Sequence, residues 1–446
     1  MIQVVSKIAE IEELNNFFSL RDKYGMPVWD VIRYDVIKHI QYRYNPNKET
    51  VPHTSVGNRL KIFVRCFTPF LRLLFKGKRR VLFYAHSRHQ NKNGLYYDRQ
   101  AIDLINMVAP GDRFIFDSSH AGSCEYEAYE APQAFFYAWY RFKKVLNKKT
   151  LLDPSVTKRI CDVINEGFSE FVINETTVIS LYEHFVALCE MYDWILCIIK
   201  PERVIVSYGR YKAISFAARK KNIPSFLIQH SLIDKADATI GGTCPQKENG
   251  INPDTLLTYG SYWGEYLKHL MDVKVLGNRF LYKETGKVTD DGTVLFVSSL
   301  YQGPYLSQLL LDIAPRHTNV KFIYKLHPGE KGLREHYEKM FESVPNVCVQ
   351  LNEESMASIL QRCTLVVLIS STTLFEALNT GKCVAIYDVP DFADVTSFLK
   401  SAPNTYCFTE KSQLEEILLT HKYIKKDGLS YYDDFNVETA NYVLAM

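Results

Sequence analysis

Residues 320–330 read VKFIYKLHPGE, an apolar run that ends on a lysine, a histidine and a helix-breaking proline with a glycine behind it. Strands buried on both faces of a parallel sheet read as nearly continuous apolar runs, and open α/β sheets take ligands just beyond the carboxyl ends of those strands. The stretch therefore predicts a central parallel strand that carries Lys325, His327 and Pro328 to a ligand.

Its neighbours repeat the pattern. TVLFVSSL (293–300), VCVQL (347–351), LVVLISS (365–371) and CVAIYD (383–388) are apolar runs separated by helical stretches. An earlier series has the same form: VLFYAH (81–86), RFIFDSS (113–119), RVIVSYG (203–209), SFLIQHS (225–231), LLTYG (256–260) and VKVLGN (273–278). Strands alternating with helices imply parallel sheets built from crossover connections. The polar, glycine-containing stretch KETGKVTDDG (283–292) separates the two series. The expectation is an α/β chain with a helical region over 1–78, one Rossmann-like doubly wound domain over 79–285 and another over 286–446.

Within the second series, three strand ends carry matching chemistry. TVLFVSSL delivers Ser298 and Ser299, YKLHPGE delivers Lys325, His327 and Pro328, and LISSTTLFEAL delivers Ser370, Ser371 and Thr372 ahead of a helix. Hydroxyl residues at a helix start offer side-chain donors and free backbone N–H groups, a set that suits a phosphate. Glu376, one turn further on, is placed to accept hydrogen bonds from ribose hydroxyls. Taken singly, a Ser/Thr run before a helix reads as an N-cap and a histidine after a strand as a structural residue. Their convergence on one sheet edge favours a binding site.

KLHP followed some forty residues later by S-S-T-x-x-F-E-A-L resembles the GT-B glycosyltransferases of bacterial capsule and surface-polysaccharide synthesis. Closest in motif are sialyltransferases, Kdo transferases and CDP-glycerol glycerophosphotransferases. The resemblance covers roughly residues 80–420 and is clearest in the second series. It implies a GT-B fold, two Rossmann-like domains facing a cleft, with acceptor binding in the first and nucleotide-sugar binding in the second. It also implies a metal-independent, inverting transfer with no cofactor, from a CMP-sugar such as sialic acid or Kdo, to a capsule, O-antigen or lipooligosaccharide acceptor. Donor binding falls to His327, Pro328, Ser370, Ser371 and Thr372. Alternatives are a CDP-glycerol or ribitol phosphotransferase, a UDP- or GDP-sugar transferase, a UDP-sugar 2-epimerase of the same fold, and an inactive GT-B partner subunit.

An inverting transfer needs a general base. His86 ends VLFYAH and His230 ends SFLIQH; the latter resembles the strand ending in His-Gly of the glycerophosphotransferases, with Ser231 in the glycine's place. Asp98 in GLYYDRQ is a third candidate, because sialyltransferases use an aspartate. Their Asp-Asp-Gly motif is matched by Asp290, Asp291 and Gly292, but a linker position just before a strand favours a turn. Charges in HSRH (86–89) and at Arg210 suit an anionic ligand or a solvated loop equally.

Composition narrows the classes. The chain has 446 residues, 47% hydrophobic and 23% charged, with formal charge +3, too mild to argue for nucleic acid. Ten cysteines occur singly with no CxxC, which fits buried reduced thiols and a cytoplasmic setting and gives no metal motif. MIQVVSKIAEIEELNN lacks a signal peptide's apolar core, and no apolar run is long enough to span a bilayer. GNRLKIFVRCFTPFLRLLFKGKRR (57–80) sets Lys61, Arg65, Arg72 and Lys76 near one helical face, interrupted by Pro69. Residues 58–80 thus suit either peripheral contact with the anionic inner face of the cell membrane or the solvated side of a packed helix.

Overall fold

A computed structural model describes residues 3–43, 78–118, 123–129, 140, 152–168, 172–207, 212–230, 233, 251–264, 267–279, 291–299, 302–390, 404–421 and 430–445. The chain divides into two compact units. An N-terminal unit comprises Val4–Tyr259, Trp263–Gly277 and Phe435–Met446; a C-terminal unit comprises Asn278–Asp434 with Gly260–Tyr262 and Met1–Gln3.

In the N-terminal unit, β1 (Val81–Ala85) is followed by the short antiparallel pair β2 (His89–Gln90) and β3 (Tyr96–Tyr97). Then come β4 (Arg113–Asp117), β5 (Arg203–Val206), β6 (Ser225–Ile228), β7 (Thr255–Thr258) and β8 (Asp272–Val275). All but the short pair form one parallel sheet in the order β4-β1-β5-β6-β7-β8. The strand order reverses between β1 and β5, whose carboxyl ends flank the crevice where such sheets bind ligands. The run over 175–199 forms one long helix, Glu175–Ile199, started by Asn174, which accepts from the Thr177 amide, and stopped by Lys200 in the left-handed region.

The helical region expected at the N-terminus is present as α1 (Gln3–Asn15) and α2 (Val28–Arg43). Both are fastened by buried polar contacts. Glu12 accepts from Trp29 Nε1 at 2.7 Å and from Arg33, and Lys212 donates to Asp30 Oδ1 at 2.7 Å. Tyr182 Oη donates to Asp22 at 2.7 Å. The expected membrane-contact segment, including Lys61, Arg65, Arg72 and Lys76, lies outside the described residues up to position 77. Among the described residues no helix is long and apolar enough to cross a membrane.

The C-terminal unit contains β9 (Thr293–Val297), β10 (Phe322–Lys325), β11 (Val347–Gln350), β12 (Cys363–Leu368), β13 (Cys383–Tyr387) and β14 (Thr405–Phe408). They form a parallel sheet in the order β11-β10-β9-β12-β13-β14. Both faces are covered. Val294, Phe296, Phe322, Tyr324, Leu365 and Val367 share a core with Leu306, Leu310 and Ile313 of the following helix, while the intervening Leu295, Ile323 and Val366 are buried on the opposite side. This two-sided burial is why the strands read as unbroken apolar runs.

The fold class read from the sequence is therefore observed: two doubly wound parallel-sheet α/β units of six strands each, with a helical N-terminal region. All eleven expected strands form. The pair β2–β3 and the edge strand β14 were not expected. The final helix, Val437–Leu444, packs on the N-terminal unit, where Ala440, Val443 and Leu444 enter the first sheet's core and Tyr442 meets Phe226 edge-on at 6.4 Å. Of the cysteines expected to be buried, Cys161, Cys189, Cys363 and Cys383 are, whereas Cys197, Cys348 and Cys407 are exposed.

Candidate functional site

The order β11-β10-β9-β12-β13-β14 counts as 3-2-1-4-5-6 along this unit, so the strand order reverses between β9 and β12. Their carboxyl ends, with that of β10, deliver the residues singled out from the sequence. Ser298 and Ser299 end β9, His327 and Pro328 follow β10, and Ser370, Ser371 and Thr372 follow β12. Polar groups at a topological switch point are where an open α/β sheet holds a ligand.

His327 lies two residues beyond β10 and caps the short 3-10 turn Pro328–Leu333. Its imidazole is exposed, and Nδ1 accepts the Gly329 amide at 3.0 Å. An accepting nitrogen carries no proton, so in the neutral ring Nε2 carries it and is the donor left for a ligand. Pro328 suits the first position of the turn, where no amide is needed. The His327 amide donates to Glu330 Oε2 at 2.8 Å, and Glu330 is completely buried. Glu330 Oε1 accepts from Ser298 Oγ at 2.9 Å, and Tyr324 Oη donates to Ser298 Oγ at 3.1 Å or to the Gly303 carbonyl at 2.8 Å. Burial, with the Glu330 carboxylate and Tyr337 nearby, raises the Tyr324 phenol and keeps it protonated as a donor.

The hydroxyl-rich loop is held from two sides. Gln302, beside the start of the helix Gly303–Ile313, accepts the Ser370 amide at 3.2 Å. Phe375 packs against Tyr262 and Tyr431, with ring centroids at 5.7 and 5.0 Å. Ser371 Oγ accepts the Thr373 amide at 3.3 Å, while Thr372 is exposed. Among the described residues the amides of Ser371 and Thr372 have no acceptor. The helix that follows, Thr373–Asn379, has only seven residues, so individual N–H groups and hydroxyls rather than a long macrodipole are what the loop offers an anion. Glu376 is half-buried one turn into it.

Lys325 is placed differently from its neighbours. Its side chain is buried and Nζ donates to the Glu354 carbonyl at 2.7 Å, so it joins β10 to the loop after β11. Desolvation lowers its pKa, opposed by Glu353 and Glu354. Asp291 and Gly292 lie at the opposite, amino end of β9: Asp291 accepts the Thr293 amide at 3.0 Å and Gly292 has φ of 75°. Such geometry is that of a turn; Asp290 lies outside the described residues.

The N-terminal unit carries a second polar cluster, also at a switch point. Asp98 follows β3, is wholly buried, and accepts from the His86 amide at 2.7 Å, the Gln100 amide at 2.9 Å, the Ala101 amide at 3.2 Å and Ser207 Oγ. His86 stands at the end of β1 and Ser207 at the end of β5, so one carboxylate ties together the two strands that define the reversal. Burial pushes its pKa up to about 6 in spite of those four donors. His86 is half-buried, with Nδ1 2.7 Å from Ser118 Oγ. Beside it, Ser87 Oγ binds Asp117 and lies 2.7 Å from Tyr126 Oη, which accepts the Asp98 amide at 3.1 Å. His230 is exposed two residues beyond β6. Ser231 and Arg210 lie outside the described residues.

No family model and no curated protein matches the chain. Among solved structures it is similar to the UDP-GlcNAc 2-epimerase of Methanocaldococcus jannaschii in complex with UDP-GlcNAc and UDP, at 13% identity over 82% of this chain and 98% of that one, TM-score 0.44. It is also similar to the UDP-GlcNAc 2-epimerase of Neisseria meningitidis bound to UDP-GlcNAc, at 13% identity over 76% and 90%, TM-score 0.42. A third similarity is to Alr3699/HepE of Anabaena in complex with UDP and glucose, at 12% identity over 77% and 89%, TM-score 0.40.

Sequence reasoning overlooked the residues beneath the surface of both clusters. Glu330 and Gly303 underlie the His327 turn, Gln302 restrains the Ser370 loop, and Asp117, Ser118, Tyr126 and Ser207 surround His86 and Asp98. A signal was available for Glu330, the third residue after His327 as in a capping box. The others depend on pairings between distant strands. Among the described residues no three His, Cys, Asp or Glu side chains are arranged to hold a metal ion.

Proposed function

We propose that the chain is a nucleotide-sugar-dependent glycosyltransferase that holds its donor's phosphates at the switch point of the C-terminal sheet. The observation that carries this reading is the convergence of Ser299, the His327 Nε2–H and, among the described residues, the unpaired amides of Ser371 and Thr372 on the ends of β9, β10 and β12, with Ser298 bound behind them to Glu330. Donors arranged this way favour the negative charge that grows on a departing nucleotide. Ser370 and Pro328 shape the two loops, Glu376 takes ribose hydroxyls, and buried Lys325 adds positive charge from behind. In this reading the N-terminal unit takes the acceptor and the C-terminal unit the donor, with the boundaries expected at 285 and 446 moved to Gly277 and Asp434, because residues 435–446 pack on the first sheet.

The motif resemblance favours a CMP-activated acidic sugar and a surface glycan as acceptor, and the basic amphipathic stretch 58–80 favours a place at the inner face of the cell membrane. A CDP-glycerol or CDP-ribitol donor is the second reading, supported by the His-Pro turn and the Ser/Thr cluster alike. For the acceptor's proton, exposed His230 and half-buried His86 are the candidates. Asp98, enclosed by four donors, acts as a support for His86 rather than by touching substrate.

Titration calorimetry with CMP, CDP, UDP, GDP and their sugar conjugates, on the wild type and on His327→Ala, tests the proposal. Cytidine nucleotides are expected to bind selectively, and the substitution to weaken them with the fold intact. Selective uridine or guanosine binding would discard the sialyl, Kdo and glycerol donors, and no binding at all would favour an inactive partner subunit.

A further inference from the structure

Glu330 is the most deeply buried charged side chain at the C-terminal switch point, and nothing in the sequence motifs gives it a role. It has no exposed surface, yet it is the third residue of a short surface turn, a position where a capping glutamate normally reaches through solvent. Its oxygens are divided between two strand ends: Oε1 takes Ser298 Oγ beyond β9, and Oε2 takes the His327 amide beyond β10. The far side is closed by Gly303, where a Cβ would come within 2.4 Å of Tyr337 Oη, 2.6 Å of Glu330 Oε1 and 2.9 Å of Ser298 Oγ. A glycine is therefore needed to let the helix start approach the carboxylate.

A desolvated carboxylate persists only where its hydrogen bonds are complete and well aimed. We propose that Glu330 is a positioning residue. Working through the His327 backbone and Ser298, it fixes the His327 ring with Nδ1 on the Gly329 amide and Nε2–H directed outward, ready to donate to a phosphate oxygen. The ligand part of this role rests on the reading above; the hold on His327 does not.

Nitrogen-proton correlation spectra of the imidazoles separate the two. The His327 signal is assigned by its loss in His327→Ala. In the wild type near pH 8, it should report a bare Nδ1 and a protonated Nε2. Glu330→Ala should mix the two tautomers and weaken the tightest nucleotide of the CMP, CDP, UDP and GDP panel by about tenfold or more, the effect of leaving buried donors unpaired. Gly303→Ala should reproduce the spectral change by crowding the carboxylate, and Glu330→Gln, which keeps an acceptor for the His327 amide, should restore most of it. The second pair of variants decides the matter if Glu330→Ala does not fold. A His327 spectrum unchanged across folded Glu330 and Gly303 variants overturns the proposal whatever the nucleotides do. A changed spectrum in a protein that binds none of the four nucleotides keeps the positioning role and removes the donor-site reading instead.

Discussion

The main-chain amide of His86 donates to the buried carboxylate of Asp98 over 2.7 Å, and the same carboxylate receives Ser207 Oγ from the adjacent strand end. The C-terminal unit repeats the device with other residues: the His327 amide and Ser298 Oγ converge on Glu330. In each unit a carboxylate with no exposed surface joins a strand-end histidine to a serine on a neighbouring strand. Parallel strands end without hairpins to brace them, so their last residues need cross-links of this kind if side chains beyond the sheet are to hold fixed positions.

Asp98 should make stability fall as pH rises. Its folded pKa of about 6 lies above the unfolded carboxylate value, so between roughly pH 4 and 6 the folded state holds a proton that the unfolded chain has released. The contribution is complete below about pH 4 and gone above about pH 7. From pH 5 to 7.5 the loss is about 1.4 kcal/mol. Urea midpoints of the wild type should therefore drop relative to Asp98→Asn over that interval. A constant difference would mean that Asp98 ionises in the fold as it does in the unfolded chain.

The sequence exposed the strands because two-sided burial writes itself as continuous apolar runs, and it placed His327 and Ser370–Thr372 at the sheet's carboxyl edge because they follow those runs directly. Edge strand β14 was hidden, since TYCF is short and its Thr405, Tyr406 and Cys407 are only partly buried or exposed. Lys325 looked like a ligand residue because nothing in its neighbourhood of sequence reveals the Glu354 carbonyl that takes its ammonium. Ser207 and Asp98 are 109 residues apart and Gln302 and Ser370 are 68 apart, pairings that only the strand order brings together. Nor does any local pattern tell that residues 435–446 return to the N-terminal unit.

Gly260→Ala should destabilise the C-terminal unit. The added Cβ would lie 2.3 Å from the Ser430 carbonyl oxygen and 2.7–2.8 Å from the Tyr431 carbonyl group, backbone atoms that cannot rotate away. Relief requires moving Tyr431, which packs on Phe375 and Tyr262 behind the Ser370–Thr372 loop. A cost of about 1–3 kcal/mol is expected in chemical denaturation, with weaker nucleotide binding in the folded fraction. Unchanged stability would show that the two segments separate easily.

Lys212→Met tests how firmly α2 is fastened. Lys212 Nζ binds both Asp30 Oδ1 at 2.7 Å and the Asp30 carbonyl at 2.9 Å, and Asp30 is almost fully buried. Removing the ammonium strands a carboxylate in the interior, for which about 3–5 kcal/mol is expected. Pairing the change with Asp30→Asn should recover most of the loss, because the stranded charge goes with it. Additive losses in the double variant would count against a direct pair.

His86 and His230 should separate in turnover. His86 ends β1 at the switch point, its backbone held by Asp98 and its Nδ1 lying 2.7 Å from Ser118 Oγ, so its ring direction is set before any ligand arrives. His230 lies two residues past β6, two strands from β1 in the sheet, and is exposed. General-base catalysis is worth about 10²–10⁴-fold. His86→Ala should therefore lower kcat by that order while nucleotide affinity stays within about twofold, since donor binding is assigned to the other unit. Ser118→Ala should produce a smaller loss in the same direction by freeing the ring. If His230→Ala carries the large loss instead, the base belongs to β6, and equal mild losses at both histidines would remove the base from this pair altogether.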